Sequence, residues 1–434
     1  MKNRFTKFIC FSLIFINGLL ACNNNDEPAP VTKITPKVIT LTPTTTYQTI
    51  SGFGAANQMW GSQFPTNSEM KKAYGTDETD LGLSIFRIRV GANANEWSLI
   101  TNVSKEAKKY NAKILASPWS PPAALKSNAS DIGGHLPEAN YQAYVNHLNE
   151  FTAYMANNNI TIDAISIQNE PDIEVSYESC DWTADEMKKF LKNYGQLIQG
   201  ADVAAPESFN FNQSFTNAIL TDDAAAANVD IIAGHIYGGG LTTFPLAEQK
   251  GKEIWMTEYL MNLNTGQAGA PAWTTYTNDQ IWNETLGMLG TVHQSMMLNW
   301  NAYIWWYLKR YYSFIGDGTN GTVSGEILKR GYAFSHFSKF VRPGYVRIKT
   351  EFQQSSVLIS AYQGDGKTVV VLINPETTPI NNLSIKIGSE TPATASRYVT
   401  TATSDRVKTT LEKVDGNLLF ALEPKSVTTI VIEN

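Results

Sequence analysis

Residues 163–171 read DAISIQNEP: a short apolar run that stops at Gln168, Asn169 and Glu170 and is closed by Pro171. A brief run of this kind fits a strand covered on both faces, as in a parallel sheet. Pro171 has no ladder donor, so a central strand must end before it, which leaves Glu170 at the strand's C-terminal edge. Seven further runs share the pattern: TISGFGAA (49–56), LSIFRIRV (83–90), AKILASPW (112–119), DVAAPESF (202–209), DIIAGHIYG (230–238), EIWMTEY (253–259) and NAYIWWY (301–307). Longer segments of helical period separate them. In one, Thr183 and Glu186 form a capping-box signature, followed by Met187, Phe190, Leu191, Tyr194, Leu197 and Ile198 at helical spacing. A second, over 141–156, sets Tyr144, Val145, Leu148 and Phe151 on one side. Alternation of this sort defines an α/β chain of repeated βα units, and eight units predict a (β/α)8 TIM barrel with functional groups at the C-terminal ends of its strands.

Past Val341 the texture changes. SSVLISAYQ, KTVVVLINP, NLSIKIG and SVTTIVIEN are short strands set apart by Gly, Asn, Pro and Asp turns, which predicts an appended antiparallel β side domain. KVITLTP, near residue 40, is expected to pair with it from the other end of the chain. The expected organisation is a leader over 1–21, a tether over 22–36, an N-terminal strand of the side domain over 37–50, the barrel over 51–341 and the remaining side domain over 342–434.

The leader is read from Lys2, Arg4 and Lys7 ahead of an apolar run from Phe8 to Leu20, too short to span a bilayer. It ends in LLAC (19–22), which resembles a bacterial lipobox and implies lipid on Cys22. The polar, proline-rich NNNDEPAPVTKITPK that follows reads as an extended tether, and its acids resemble surface-export signals of Bacteroidota lipoproteins. The expectation is a monomer anchored to the outer membrane, facing the cell surface.

The chain has 434 residues, is 43% hydrophobic and 17% charged, and carries a net charge of −6, so a nucleic-acid partner is not expected. Loss of the leader removes three cations and makes the mature surface more acidic still. Cys180 would then be the remaining free thiol, read as packing rather than chemistry. None of the five histidines sits in a metal-ligand pattern, and no metal or cofactor is expected.

Glu258 ends EIWMTEY as Glu170 ends its own run. Two carboxylates delivered to one barrel mouth are the minimum equipment for glycoside hydrolysis. Arg87, closing SIFR, is the natural cation to keep one of them ionised, with a buried core ion pair as its second reading. Trp60, Trp119, Tyr237 and His235 lie near strand ends, where rings stack on pyranose faces or pack in the core.

SGFG, LGLSIFRIRV, ASPWSPP, IQNEPD, APESF, HIYG, WMTEY, NAYIWWYLKRYYS and KRGYAFSHFSKFVRPGYVRI, in this order, resemble glycoside hydrolase family 30, and within it the bacterial glucuronoxylanases. The resemblance implies retaining hydrolysis of β-1,4-xylan, with Glu170 as acid/base and Glu258 as nucleophile. It also puts Arg87 beside the nucleophile and Asn169 on a sugar hydroxyl, and makes Trp60, Trp119 and Tyr237 sugar contacts. It assigns Arg310 to the carboxylate of a glucuronic acid branch, assisted by Trp306, Tyr307 and Tyr312; a guanidinium fork suits a carboxylate better than a lysine does. Two features depart from the pattern. The loop after Glu258 contains no serine, so either Thr274, Thr275 or Tyr276 stands in for the usual uronate contact or that contact is missing, and GSQFPTNSEM after Trp60 is also unlike the family. Lys309 has no assigned partner. A xylanase indifferent to uronate, a β-glucanase or glucosidase on the same scaffold, and a noncatalytic glycan-binding lipoprotein are the alternatives.

Overall fold

In the computed structural model the eight apolar runs form the strands of a closed parallel barrel: β2 (Gly52–Ala56), β3 (Ile85–Val90), β4 (Lys113–Pro118), β5 (Ala164–Ser166), β6 (Asp202–Ser208), β7 (Ile231–His235), β8 (Glu253–Glu258) and β9 (Ala302–Trp305). The described residues are 35–61, 63–263, 269–354 and 356–433. Most of the leader and tether, with Cys22, lies outside them. β5 is the shortest of the eight, because polar residues and Pro171 follow it at once. Closure joins β2 to β9, Gly54 facing Ile304. Gly54 is needed there: a β-carbon would lie 2.1 Å from the Ile85 carbonyl oxygen of the adjoining strand.

Strand alternation divides the barrel's side chains into two sets. Ile85, Leu115, Ala164, Ala204, Ile231, Ala233, Trp255, Ala302 and Ile304 fill the lumen as one cluster. Phe86, Ile88, Ile114, Ile165, Val203 and Ile232 face outward into the main core under the helices. The helix Ala184–Tyr194 carries the expected capping box between Thr183 and Glu186 and buries Met187, Phe190 and Leu191. It ends at Tyr194, before a 3-10 turn at Gly195–Leu197, so Leu197 does not extend the apolar stripe and is exposed. No described helix is long and apolar enough to cross a membrane.

The second sheet takes strands from both ends of the chain. These are β1 (Lys37–Thr49), β10 (Val346–Glu351), β11 (Leu358–Gly364), β12 (Lys367–Asn374), β13 (Ile380–Ile387), β14 (Thr394–Thr400), β15 (Val407–Glu412), β16 (Phe420–Leu422) and β17 (Ser426–Glu433). Their order is β15-β14-β17-β12-β11-β10-β1-β13-β16. The pairing is antiparallel except between β1 and β13, which run parallel with Ile39 opposite Ile385. Strands β10, β14, β15 and β16 have weaker apolar alternation than the runs that signalled this domain, and pairing, not propensity, makes them strands.

One face of this sheet packs on the barrel's helices, with Tyr362, Val369, Val371, Ile373 and Val427 joining the main core. At the seam His336, on the helix Lys329–Ser338, is fully buried, its Nδ1 2.8 Å from Thr429 Oγ1 and its Nε2 2.8 Å from Thr400 Oγ1. Burial, then Arg406, hold its pKa down at about 3. A histidine kept neutral when folded stabilises the protein fully above its unfolded value near 6.5, and that contribution is lost as pH falls towards 3. We expect His336→Leu, which removes one hydrogen bond from each of two threonine hydroxyls, to cost roughly 1–3 kcal/mol at neutral pH. It should also flatten the decline of unfolding free energy between about pH 6.5 and 4, measured by urea titration.

Candidate active site

Alternation along β3 puts Arg87 on the same side as Ile85, so its guanidinium points into the barrel lumen, and its side chain has no exposed surface. Such a charge needs several partners. Nη1 lies 2.5 Å from Glu258 Oε2, Nη2 lies 2.6 Å from Asn169 Oδ1 and 3.0 Å from Glu207 Oε1, and Nε donates to Ser117 Oγ at 3.2 Å. The Trp119 ring centre is 4.8 Å from the guanidinium carbon and that of Trp306 is 6.0 Å away.

Two backbone irregularities bring acids into this network. The β6–β7 register shifts between Pro206 and Ser208, and Glu207 adopts a φ of 59°. Without the shift, Glu207 would face outward with Val203 and Ala205. Glu170 has a φ of 47°, and its amide donates to the Glu207 carbonyl at 3.0 Å. A left-handed conformation costs a side-chain-bearing residue about 1–2 kcal/mol, so both turns are held by the surrounding bonds.

Glu170 Oε1 lies 2.9 Å from His235 Nδ1, and its Oε2 accepts from the Tyr177 hydroxyl at 3.1 Å. Glu258 Oε1 accepts from the Tyr237 hydroxyl at 3.0 Å. An oxygen of Glu170, one of Glu258 and a His235 nitrogen all lie within 4.8 Å of one another. That spacing also suits a metal ion, but the neighbouring Arg87 and a protonated His235 oppose a cation there.

Burial alone would raise Glu207, yet Arg87 and His235 outweigh it and hold the carboxyl at about 2. Burial would lower His235, but Glu258, Glu170 and Glu207 pull it up to about 9. Its Nε2 is 3.8 Å from Glu207 Oε1, beyond hydrogen-bond reach, so that attraction is one of charge. Burial pushes Glu258 up, while His235 and Arg87 pull against it. Two cations thus face three carboxyl groups, and charge balances when one carboxyl keeps its proton. Glu207, with its low value, stays ionised among them.

Around the acids stands an aromatic wall. Trp60 meets Trp119 edge-on at 5.4 Å, Trp119 lies 6.0 Å from Trp306, and Trp306 stacks on Tyr307 at 3.7 Å. Trp119 is buried and Trp60 is 37% exposed. Beyond the end of β9, Arg310 is partly exposed, its guanidinium 5.8 Å from the Tyr307 ring centre and its Nη1 3.7 Å from Asp317 Oδ2. Lys309, which had no partner assigned from sequence, has its ammonium 2.7 Å from the buried Glu69 carboxylate. Tyr312 lines a cavity of about 350 Å³ with Trp273, Thr274 and Tyr311. Cys180 stands apart, buried, its thiol pushed up to about 12 by burial.

Arg87, Asn169, Glu170, His235, Tyr237 and Glu258 therefore meet in one polar cluster bordered by Trp60, Trp119, Trp306 and Tyr307, with Arg310 and Tyr312 further along the β9 loop. Glu207, Ser117 and Tyr177 complete it and were not singled out from sequence. Glu207 stands in the APESF motif, but regular strand alternation turns it the wrong way.

A closed parallel barrel with paired carboxylates at its mouth, one salt-bridged to a buried arginine, defines a glycoside-cleaving enzyme. A family model described as the glycosyl hydrolase family 30 TIM-barrel domain matches residues 66–278. The chain is 36% identical to glucuronoxylanase XynC of Bacillus subtilis (strain 168) over 446 aligned positions, covering 100% of each. Among solved structures it is similar to the glycoside hydrolase family 30 subfamily 8 xylanase Xyn30A of Clostridium acetobutylicum, with a TM-score of 0.80, 32% identity, and coverage of 91% of this chain and 99% of that one. It is also similar to a family 30 endoxylanase of Clostridium papyrosolvens C71, with a TM-score of 0.78, 32% identity, and coverage of 91% and 100%. The chain belongs to glycosyl hydrolase family 30.

Because Glu207 is the low-lying anion of the cluster, Glu207→Gln should destabilise the protein by about 3 kcal/mol at neutral pH, by leaving Arg87 and His235 short of countercharge. Unfolding by urea, monitored by tryptophan fluorescence, measures this. In the wild type, the stability contributed by the His235 imidazolium is complete below about pH 6.5 and lost as pH rises through about 9. The variant should show a weaker alkaline decline.

Proposed function

We propose that the protein is a retaining endo-β-1,4-xylanase directed by a glucuronic acid branch on xylan. The observation that carries the reading is the carboxyl pair: oxygens of Glu170 and Glu258 lie within 4.8 Å of each other, near the roughly 5 Å spacing of retaining enzymes and short of the roughly 6.5–9.5 Å that admits a water between them. Glu258, ionised beside Arg87 and Tyr237, attacks the anomeric carbon, while Glu170 protonates the departing glycosidic oxygen. A glycosyl ester on Glu258 results. Water then attacks it, with Glu170 taking the proton. Asn169 presents its Oδ1 to Arg87, which leaves its Nδ2 to donate to a sugar hydroxyl.

The substrate reading is supported by the names of the relatives and by Arg310. Its side chain is 36% exposed, beside a ring and beyond hydrogen-bond distance of Asp317, so a uronate carboxylate can meet its fork. Of the three residues that stand in for the family's serine, Thr275 donates to the Ala272 carbonyl at 2.7 Å and Tyr276 to the Leu263 carbonyl at 3.0 Å. Thr274 lines the cavity with Tyr312 and is the hydroxyl assigned to the uronate. The lipid anchor on Cys22 and the outer-surface location form part of the same proposal, supported by the LLAC sequence and the acidic tether.

Glu258→Gln should lower kcat on glucuronoxylan by about a thousandfold or more with the fold intact, as reducing-sugar release and circular dichroism would report. Near-normal hydrolysis would defeat the assignment. Arg310→Ala should lose roughly tenfold more kcat/KM on glucuronoxylan than on undecorated xylooligosaccharides, a difference of about 1.4 kcal/mol. Equal losses on both would favour a xylanase indifferent to uronate.

A further inference from the structure

The loop after Pro171 contains two adjacent residues bound to different strands of the barrel mouth. The Tyr177 hydroxyl donates to Glu170 Oε2 at 3.1 Å. Glu178 Oε2 accepts from Arg89 Nη1 at 2.7 Å and from Trp60 Nε1 at 3.1 Å. Arg89 stands on β3, two residues beyond Arg87, and is itself held by the Met59 carbonyl at 2.9 Å and by Glu96. The side chains of Arg89 and Glu178 are only 12% and 13% exposed, so the pair is shielded from screening. The next residue is tied as well, its Ser179 carbonyl accepting from Lys126 Nζ at 2.5 Å. Three consecutive residues of an irregular loop are thus fixed, and the Tyr177 ring lies edge-on to Trp60 at 6.2 Å.

We propose that Tyr177 is a positioning residue for Glu170, and that the Arg89–Glu178 ion pair is the clamp that keeps its hydroxyl on the carboxyl group. The inference rests on Glu170 being the acid/base. A hydroxyl donating to a carboxylate stabilises the ionised form, which weakens its hold on the proton. With His235 Nδ1 on Oε1 and Tyr177 on Oε2, both oxygens of Glu170 are engaged and its rotation is fixed. The clamp joins the fifth strand's acid to the third strand, which also carries the arginine paired with Glu258. Burial and the Glu170 charge push the Tyr177 phenol well above its ordinary value, so the hydroxyl remains a donor across the working range.

The other groups acting on Glu170 are His235, Glu258, Arg87, Tyr237 and Asp172. Tyr177→Phe alters none of them and, at a site 43% exposed, leaves the core untouched. The test is carboxyl titration by NMR of the full chain labelled with 13C-carboxyl glutamate, the Glu170 signal being assigned by its loss in Glu170→Gln. The pH profile of kcat/KM on glucuronoxylan is measured alongside.

Tyr177→Phe should raise the Glu170 midpoint, and the alkaline limb with it, by about one pH unit, and lower kcat about fivefold with KM changed less than about twofold. Glu178→Gln should move the midpoint the same way by a smaller amount. An unmoved midpoint with a raised KM alone would make Tyr177 a sugar contact and overturn the proposal. A shift in Tyr177→Phe with none in Glu178→Gln would overturn the clamp. The titration uses no substrate, so a wild-type protein inert towards xylan would defeat the proposed function while the titration still decided this inference.

Discussion

A guanidinium with no exposed surface, that of Arg87, sets the terms for the barrel mouth. Taking such an ion out of water costs several kcal/mol unless charge and hydrogen bonds offset the loss. Here Glu207, Glu258, Asn169, Ser117 and the face of Trp119 do so together. Each is consequently fixed in place by the same demand. Glu207 must be inward and ionised, which requires the β6 irregularity; with Glu258 and Glu170, its charge lets His235 hold a proton inside the barrel. Preorganisation of this kind leaves little reorganisation for the moment when charge develops on a substrate.

The barrel was legible in the sequence because its strands are buried on both faces and read as bare apolar runs. Glu170 and Glu258 were legible for a related reason: each is the first carboxylate after such a run. Arg87 could be placed because β3 obeys strict alternation. Glu207 could not, since its inward orientation comes from a shift of register that no residue type announces. Tyr177 and Glu178 were invisible on other grounds, lying in a loop whose conformation is set by partners on β3 and near Trp60 rather than by local propensity. The missed strands of the side sheet, β10, β14, β15 and β16, have the same origin in pairing.

WWYLKRYY (305–312) shows how the two kinds of information combine. Composition alone makes Lys309 and Arg310 equivalent charges at the end of a strand. Packing separates them, since Lys309 is used up by Glu69 whereas Arg310 keeps part of its surface open beside Tyr307. A lysine neutralised within the fold leaves the arginine as the one of the two whose charge is offered outward, and this asymmetry gives the uronate proposal its physical basis.

The β1 strand lies between β10 and β13, so residues synthesised at the start of the folded unit find their neighbours some 300 positions later. β17, the last of the described strands, sits between β12 and β14 and bonds to both. The side sheet cannot be finished until these distant strands have been made, and the loop-closure entropy of their pairings falls due before their contacts form. Assembly of the side sheet therefore waits on its most distant strands, with long exposure of unpaired ones. A chain without β17 would lose Val427 and Thr429 from the seam and split the side sheet between β12 and β14.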